Sequence, residues 1–320
     1  MAMDPYANCN LSIPNYLCTL ETCCLAQSPF TYRVSWGGNL FFTIFFGVFI
    51  IPQLGLGIYY KTWGFMTGMI CGLVLEVLGY VARLLMHDNP FNGDAFLLYL
   101  IALTIAPVFL TASIYLTLSR IINLYNPSLS RLAPRTIALT FMTSDFLSLV
   151  LQATGGGIAD TADTEDLKNT GIDIMIAGLV LQAVSLAVFL GVWADFALRV
   201  RRRGAAQEQY AGVRSRVAFK VFLAALLVAT VAILARSIFR AMELWEGFEG
   251  ELWNNETDFL VLDGAMVALA VLLLSVLHPG PAFGRAWHEA GWSLRSKKGR
   301  GEAAPAGKGE SGSELELRTG

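Results

Sequence analysis

A carboxylate in the middle of an apolar run most constrains what this chain can become. Thr143 to Gly157 reads Thr-Ser-Asp-Phe-Leu-Ser-Leu-Val-Leu-Gln-Ala-Thr-Gly-Gly-Gly, placing Asp145 and Gln152 in a stretch otherwise apolar enough to cross a bilayer. A charged group at the centre of a membrane helix costs about 3 kcal/mol even on the lenient insertion scale, so Asp145 must face protein or a wet cavity rather than lipid. Positions 145 and 152 are two helical turns apart and share one face, with Ser148 close to the same stripe. That face is expected to point inward. The plainer alternative is a helix-packing face with one buried, hydrogen-bonded Asp. Gly155, Gly156 and Gly157 suit either a helix end with unusual backbone angles or a close approach to the main chain.

The other apolar residues of this 320-residue chain are also gathered into long blocks; 55% of all residues are hydrophobic and only 15% charged. A span needs about 20 mostly apolar residues. Seven candidates are present, at 37–58, 63–85, 96–119, 136–157, 172–197, 217–239 and 258–277. Uninterrupted runs of this length exclude a closed β-barrel, whose strands alternate in polarity. The expectation is an all-α polytopic membrane protein of seven helices over 36–280. An exterior Cys-containing segment at 1–35 precedes it, and a disordered cytoplasmic tail at 281–320 follows.

Most of the 23 Lys and Arg fall in the loops at 59–62, 120–135 and 198–216 and in the tail. The opposite side holds only Arg33, Lys168 and Arg240. By the positive-inside rule the amino terminus is expected outside and the carboxyl terminus in the cytoplasm. Residues 1–35 lack an apolar core long enough for a cleaved signal peptide, so the first span is expected to direct insertion. Cys9, Cys18, Cys23 and Cys24 in an exterior segment imply disulfides with three possible connectivities. Asn10-Leu11-Ser12 is a glycosylation sequon.

Within the spans, Glu76 and Arg83 lie seven apart with Tyr80 between them on nearly the same face. A rise of about 10 Å is too long for a direct salt bridge, so each is expected to meet another helix. Pro107 removes one backbone hydrogen bond from the third span, and Thr111 and Ser113 are expected to satisfy the freed group. Arg236 and Arg240 share one face of the sixth span with Glu243 in reach, and Asp263 lies about two turns inside the seventh. With the spans laid in alternating directions, these charges come near the exterior face and Glu76 and Asp145 lie deeper. Both signs together imply a polar chamber, open to the outside or to the outer leaflet, able to hold an amphipathic molecule by its headgroup.

Four patterns occur in order: Glu-x-x-Gly-Tyr-x-x-Arg at 76–83, Leu-x-x-Ala-Pro-x-x-x-x-Ala-x-Ile-Tyr at 103–115, Ser-Asp-x-x-Ser-x-x-x-Gln-x-x-Gly-Gly-Gly at 144–157, and Arg-x-x-x-Arg-x-x-Glu at 236–243 with Asn-Glu at 255–256. Over roughly 37–280 the chain resembles the fungal RTA-like, lipid-translocating exporter family. The resemblance implies a seven-helix protein of the fungal plasma membrane or a related one. It is linked to sphingoid-base release, to resistance to sterol-active compounds and, in one branch, to porphyrin movement.

The leading expectation is translocation or export of amphipathic lipids, with Glu76, Tyr80, Arg83, Asp145, Gln152, Arg236, Arg240, Glu243 and Asp263 as substrate-binding residues. Membrane lipids are the expected partners, with no nucleic acid. The chain has no Gly-x-x-x-x-Gly-Lys-Ser/Thr loop and no large cytoplasmic domain, so it is not expected to pump with ATP by itself. The alternatives are a lipid or stress sensor of receptor-like topology and a lipid-modifying enzyme without zinc. His87, His278 and His288 are too scattered to gather around one metal, so neither metal nor cofactor is expected.

Overall fold

A computed structural model describes residues 13, 18–162, 164–203, 210–247, 250–284 and 286–290. Seven helices are long and apolar enough to cross a membrane. We number them α1 (Trp36–Tyr59), α2 (Trp63–Asp88), α3 (Gly93–Tyr125), α4 (Pro134–Asp160), α5 (Glu165–Arg203), α6 (Val217–Trp245) and α7 (Glu256–Val276). No strand occurs among the described residues. Residues 18–35 and 279–290 lie at opposite ends of the bundle, as an odd number of spans between them requires.

Each expected span is met by a helix, and most helices run several residues further. Side-chain caps set some of the starts: Ser35 accepts from Gly38, Asn92 from Ala95 and Asn255 from Thr257. Successive helices pack as neighbours, and α7 closes the bundle between α6 and α1. α1 is the most peripheral, with Phe41, Ile44, Val48 and Ile51 exposed along it. In a bilayer such a face meets lipid tails, which are as apolar as the side chains themselves.

Small residues bring α4 and α5 together. A Cβ at Gly155 would stand 2.5 Å from the carbonyl oxygen of Gly171, and one at Gly171 would stand 2.6 Å from the nitrogen of Ala159. Both contacts are with backbone, which cannot move aside. Gly157 has open space around it, and the helix continues to Asp160. Of the two expectations for the glycine triplet, close approach therefore holds at Gly155 and the helix end does not.

At the amino end, residues 18–35 fold over the bundle. Cys18 pairs with Cys23, while Cys9 and the sequon Asn10 lie outside the described residues. Phe30 stacks on Trp253 at 5.4 Å, the Trp253 indole N–H donates to the carbonyl of Pro29, and Thr31 donates to Asn254. At the carboxyl end, the segment expected as the start of a disordered tail packs on the bundle. Residues Pro279–Phe283 and Ala286–Glu289 form short helices, Trp287 is buried, and Arg120 and Asn123 of α3 donate to the carbonyls of Trp287 and Ala290. Residues 291–320 lie outside the described part.

Candidate functional site

The amino-end half of the bundle holds a packed set of charges contributed by α2, α6 and α7. Arg236 Nε lies 2.8 Å from Asp263 Oδ1, and Arg240 Nε approaches the same oxygen at 3.8 Å. Arg240 Nη1 donates to Glu243 at 2.6 Å and to the Tyr99 hydroxyl at 3.3 Å. Arg83 reaches α1 and α7: it donates to Asn39 at 2.8 Å and to Tyr32 at 3.2 Å, and lies 3.6 Å from Glu256. Its guanidinium also rests on the Phe259 ring at 3.9 Å and the Tyr99 ring at 4.9 Å, cation–π contacts that gain strength away from water.

Backbone geometry explains why Arg236 and Asp263 stand where they do. The Leu103 carbonyl would accept from residue 107 in a regular helix, but Pro107 has no N–H to give. Arg236 Nη2 donates to that carbonyl at 2.6 Å. Thr111 and Ser113, expected in this role, instead bond Val108, Asp145, Phe65 and Phe109. In α7, residues Phe259–Ala265 form a wide π-type stretch, a departure from the α-helix often found at functional sites. It carries Asp263 and Gly264. A Cβ at Gly264 would stand 2.6 Å from the Tyr80 hydroxyl, so glycine there lets the phenol come close.

These charges are closed in rather than lining an open chamber. Arg83, Arg236, Arg240, Glu243, Asp263, Glu76 and Tyr80 are all 4% exposed or less. The seal is the cap: Phe30, Tyr32 and Trp253 lie over Arg83 and Tyr99. Burial pushes the Tyr32 phenol up to about 12 despite the pull of Arg83, so it meets the guanidinium as a neutral group. Glu256 is partly exposed and accepts from the Ser35 N–H at 2.7 Å. It also lines an open bowl of about 380 Å³ with Tyr32, Arg33, Glu251, Asn254 and Asn255.

Three ion pairs, Arg83–Glu256, Arg236–Asp263 and Arg240–Glu243, use the three arginines. Glu76 makes no ion pair among the described residues. Its Oε1 and the Tyr80 hydroxyl have no hydrogen-bond partner.

Asp145 is placed elsewhere. Its Oδ2 accepts from Thr111 and Tyr115 of α3, each at 2.9 Å, and no arginine or lysine pairs with it among the described residues. Gln152 lies between the two regions. It donates to Gln182 at 3.4 Å and lines a narrow cavity of about 20 Å³, room for about one water, together with Arg240 and Glu243. The structure thus brings seven of the nine expected residues into one cluster, sets Gln152 at its edge and holds Asp145 apart. Sequence reasoning did not single out Tyr32, Asn39, Tyr99 or Phe259. Their only sequence signal is aromatic or amide character near span ends, which many surface residues share.

A family model described as RTA1 like protein matches residues 69–286. The chain is 34% identical over 274 residues to the sphingoid long-chain base transporter RSB1 of Saccharomyces cerevisiae, covering 77% of this chain and 72% of that one. It is 30% identical over 206 residues to protoporphyrin uptake protein 1 of the same organism, covering 64% and 65%. To protein RTM1 of Saccharomyces cerevisiae it is 28% identical over 233 residues, covering 71% and 73%. No solved structure matches the chain significantly. With the matched region running from within α2 to beyond α7 and so enclosing the charge cluster except Asn39, Phe30 and Tyr32, the chain belongs to the RTA1-like family.

Proposed function

We propose that this protein translocates or exports amphipathic lipids with a cationic headgroup, sphingoid long-chain bases foremost, from a multi-pass position in the fungal plasma membrane. The amino end faces outward and the basic end faces the cytoplasm, in keeping with the positive-inside distribution of Lys and Arg. The observation that carries the reading is Glu76. It is a buried carboxylate left over after three arginines have taken three partners, and its free oxygen and the Tyr80 hydroxyl can accept and share an ammonium group. A protonated amine is the counter-ion that would let Glu76 ionise in this buried position. The polar bowl at Glu256, Glu251 and Arg33 is the entrance for such a headgroup, and the Phe30–Trp253 stack over Arg83 is the part that must part to admit it. A relative named for sphingoid base transport supports the substrate class. Relatives named for transport and uptake favour a carrier over an enzyme.

Purified protein reconstituted into vesicles tests this directly. Wild type is expected to speed the transbilayer movement of labelled sphingoid base but not of labelled phosphatidylcholine, and Glu76→Gln to abolish the acceleration at equal incorporation. Movement of both lipids at the protein-free rate would overturn the proposal.

A further inference from the structure

We propose that Asp145 is a proton-binding site, separate from the headgroup cluster and joined to it by a buried polar seam between α4 and α5. The carboxyl group is 1% exposed. An isolated carboxylate in low dielectric is costly unless something neutralises it. The groups facing it are the Thr111 and Tyr115 hydroxyls from α3, the Ser185 hydroxyl from α5 and, on α4 itself, Ser148, whose hydroxyl donates to the Asp145 carbonyl. Tyr115 is the one titratable side chain among them, and no charged group of the described residues pairs with Asp145. Both hydroxyls from α3 go to Oδ2, and Ser185 Oγ faces the carboxyl group from α5, able to accept from a protonated Oδ1 and to donate to an ionised one.

A proton needs no more than the one carboxyl oxygen left over at Oδ1. No group of three metal-ligating His, Cys, Asp or Glu side chains occurs among the described residues. Toward the carboxyl end, Tyr115, Phe141 and Phe189 pack against one another at 4.6 to 5.7 Å and form an apolar floor. Toward the amino end the seam is polar. Gln152 and Gln182 meet across it, each leaving one amide atom without a partner. Gln152 then borders the one-water cavity shared with Arg240 and Glu243. That cavity, about 20 Å³, is too small for a headgroup. Asp145 takes up a proton to become neutral and gives it back to become a carboxylate held by Thr111 and Tyr115. Its use in driving lipid movement rests on the transport reading; the proton binding does not.

Infrared difference spectra of reconstituted protein over a pH series test the binding. Wild type is expected to show a protonated-carboxyl C=O band that vanishes as pH rises and that Asp145→Asn lacks. Tyr115→Phe, which removes one hydrogen bond to Oδ2, is expected to keep the band and move it. Identical spectra for wild type and Asp145→Asn, or an Asp145 band that persists unchanged at every pH, would overturn the proposal. In the same vesicles, an imposed pH gradient is expected to drive accumulation of labelled sphingoid base in wild type and not in Asp145→Asn. A titrating Asp145 band without any wild-type movement of base would uphold the proton site and sink the transport reading alone.

Discussion

Two buried polar regions of this bundle solve the same problem in different ways. In the arginine cluster every guanidinium has a carboxylate, and the surplus backbone carbonyl at Leu103 is also satisfied. Among the described residues no opposite charge pairs with Asp145, and hydroxyls meet its carboxyl group. The first arrangement is interlocked, so removing one member leaves others uncompensated. The second can change its charge by one proton without breaking an ion pair. Burial alone therefore does not reveal what a membrane carboxylate does; its partners do.

The largest expected effect breaks the interlocked side. Arg236→Ala leaves Asp263 without its 2.8 Å partner and the Leu103 carbonyl without a donor, a loss of about 3–5 kcal/mol. Asp263→Asn belongs to the same class, whereas Asp145→Asn keeps shape and hydrogen-bonding capacity and is expected to cost less than about 1.5 kcal/mol. Unfolding in detergent measures all three, and equal losses for Asp263→Asn and Asp145→Asn would erase the distinction between the regions.

A second substitution sharpens the packing of the seam that joins them. Gly155→Ala puts a methyl group 2.5 Å from a backbone oxygen of α5 and is expected to cost about 1–3 kcal/mol, while Gly157→Ala meets nothing and is expected to be neutral or stabilising. Melting temperatures of the two variants check this.

A pH-dependent effect lies at the far end. His278 is buried, its Nδ1 accepts from the Gly280 N–H, and burial pulls its imidazole down to about 4 from an ordinary value near 6.5. The unfolded chain binds a proton there that the folded one refuses. Stability is therefore expected to fall as pH drops from about 6.5 to about 4, and His278→Gln to flatten that part of the profile. A melting-temperature series in acid checks it, and an unchanged slope in His278→Gln would assign the dependence to other groups.

The seven spans were legible because a bilayer demands long apolar runs whatever the sequence between them, and the extents of the helices follow the runs closely. The charged residues were legible for the same reason: Glu76, Asp145, Arg236 and Asp263 stand out against an apolar background. The sequence by itself determined that these charges are kept from lipid and that Pro107 leaves a carbonyl free. Only the tertiary structure decided that Arg236, 133 residues away, fills that vacancy, and that Asp145 stands apart from the cluster. It also decided that a cap from residues 18–35 and Trp253 closes the cluster. The physical reason is that hydropathy and helical period fix depth and face along one helix. Which side chains meet depends on the rotation and closeness of neighbouring helices, set by contacts such as Gly155 against Gly171 that no single run of sequence contains.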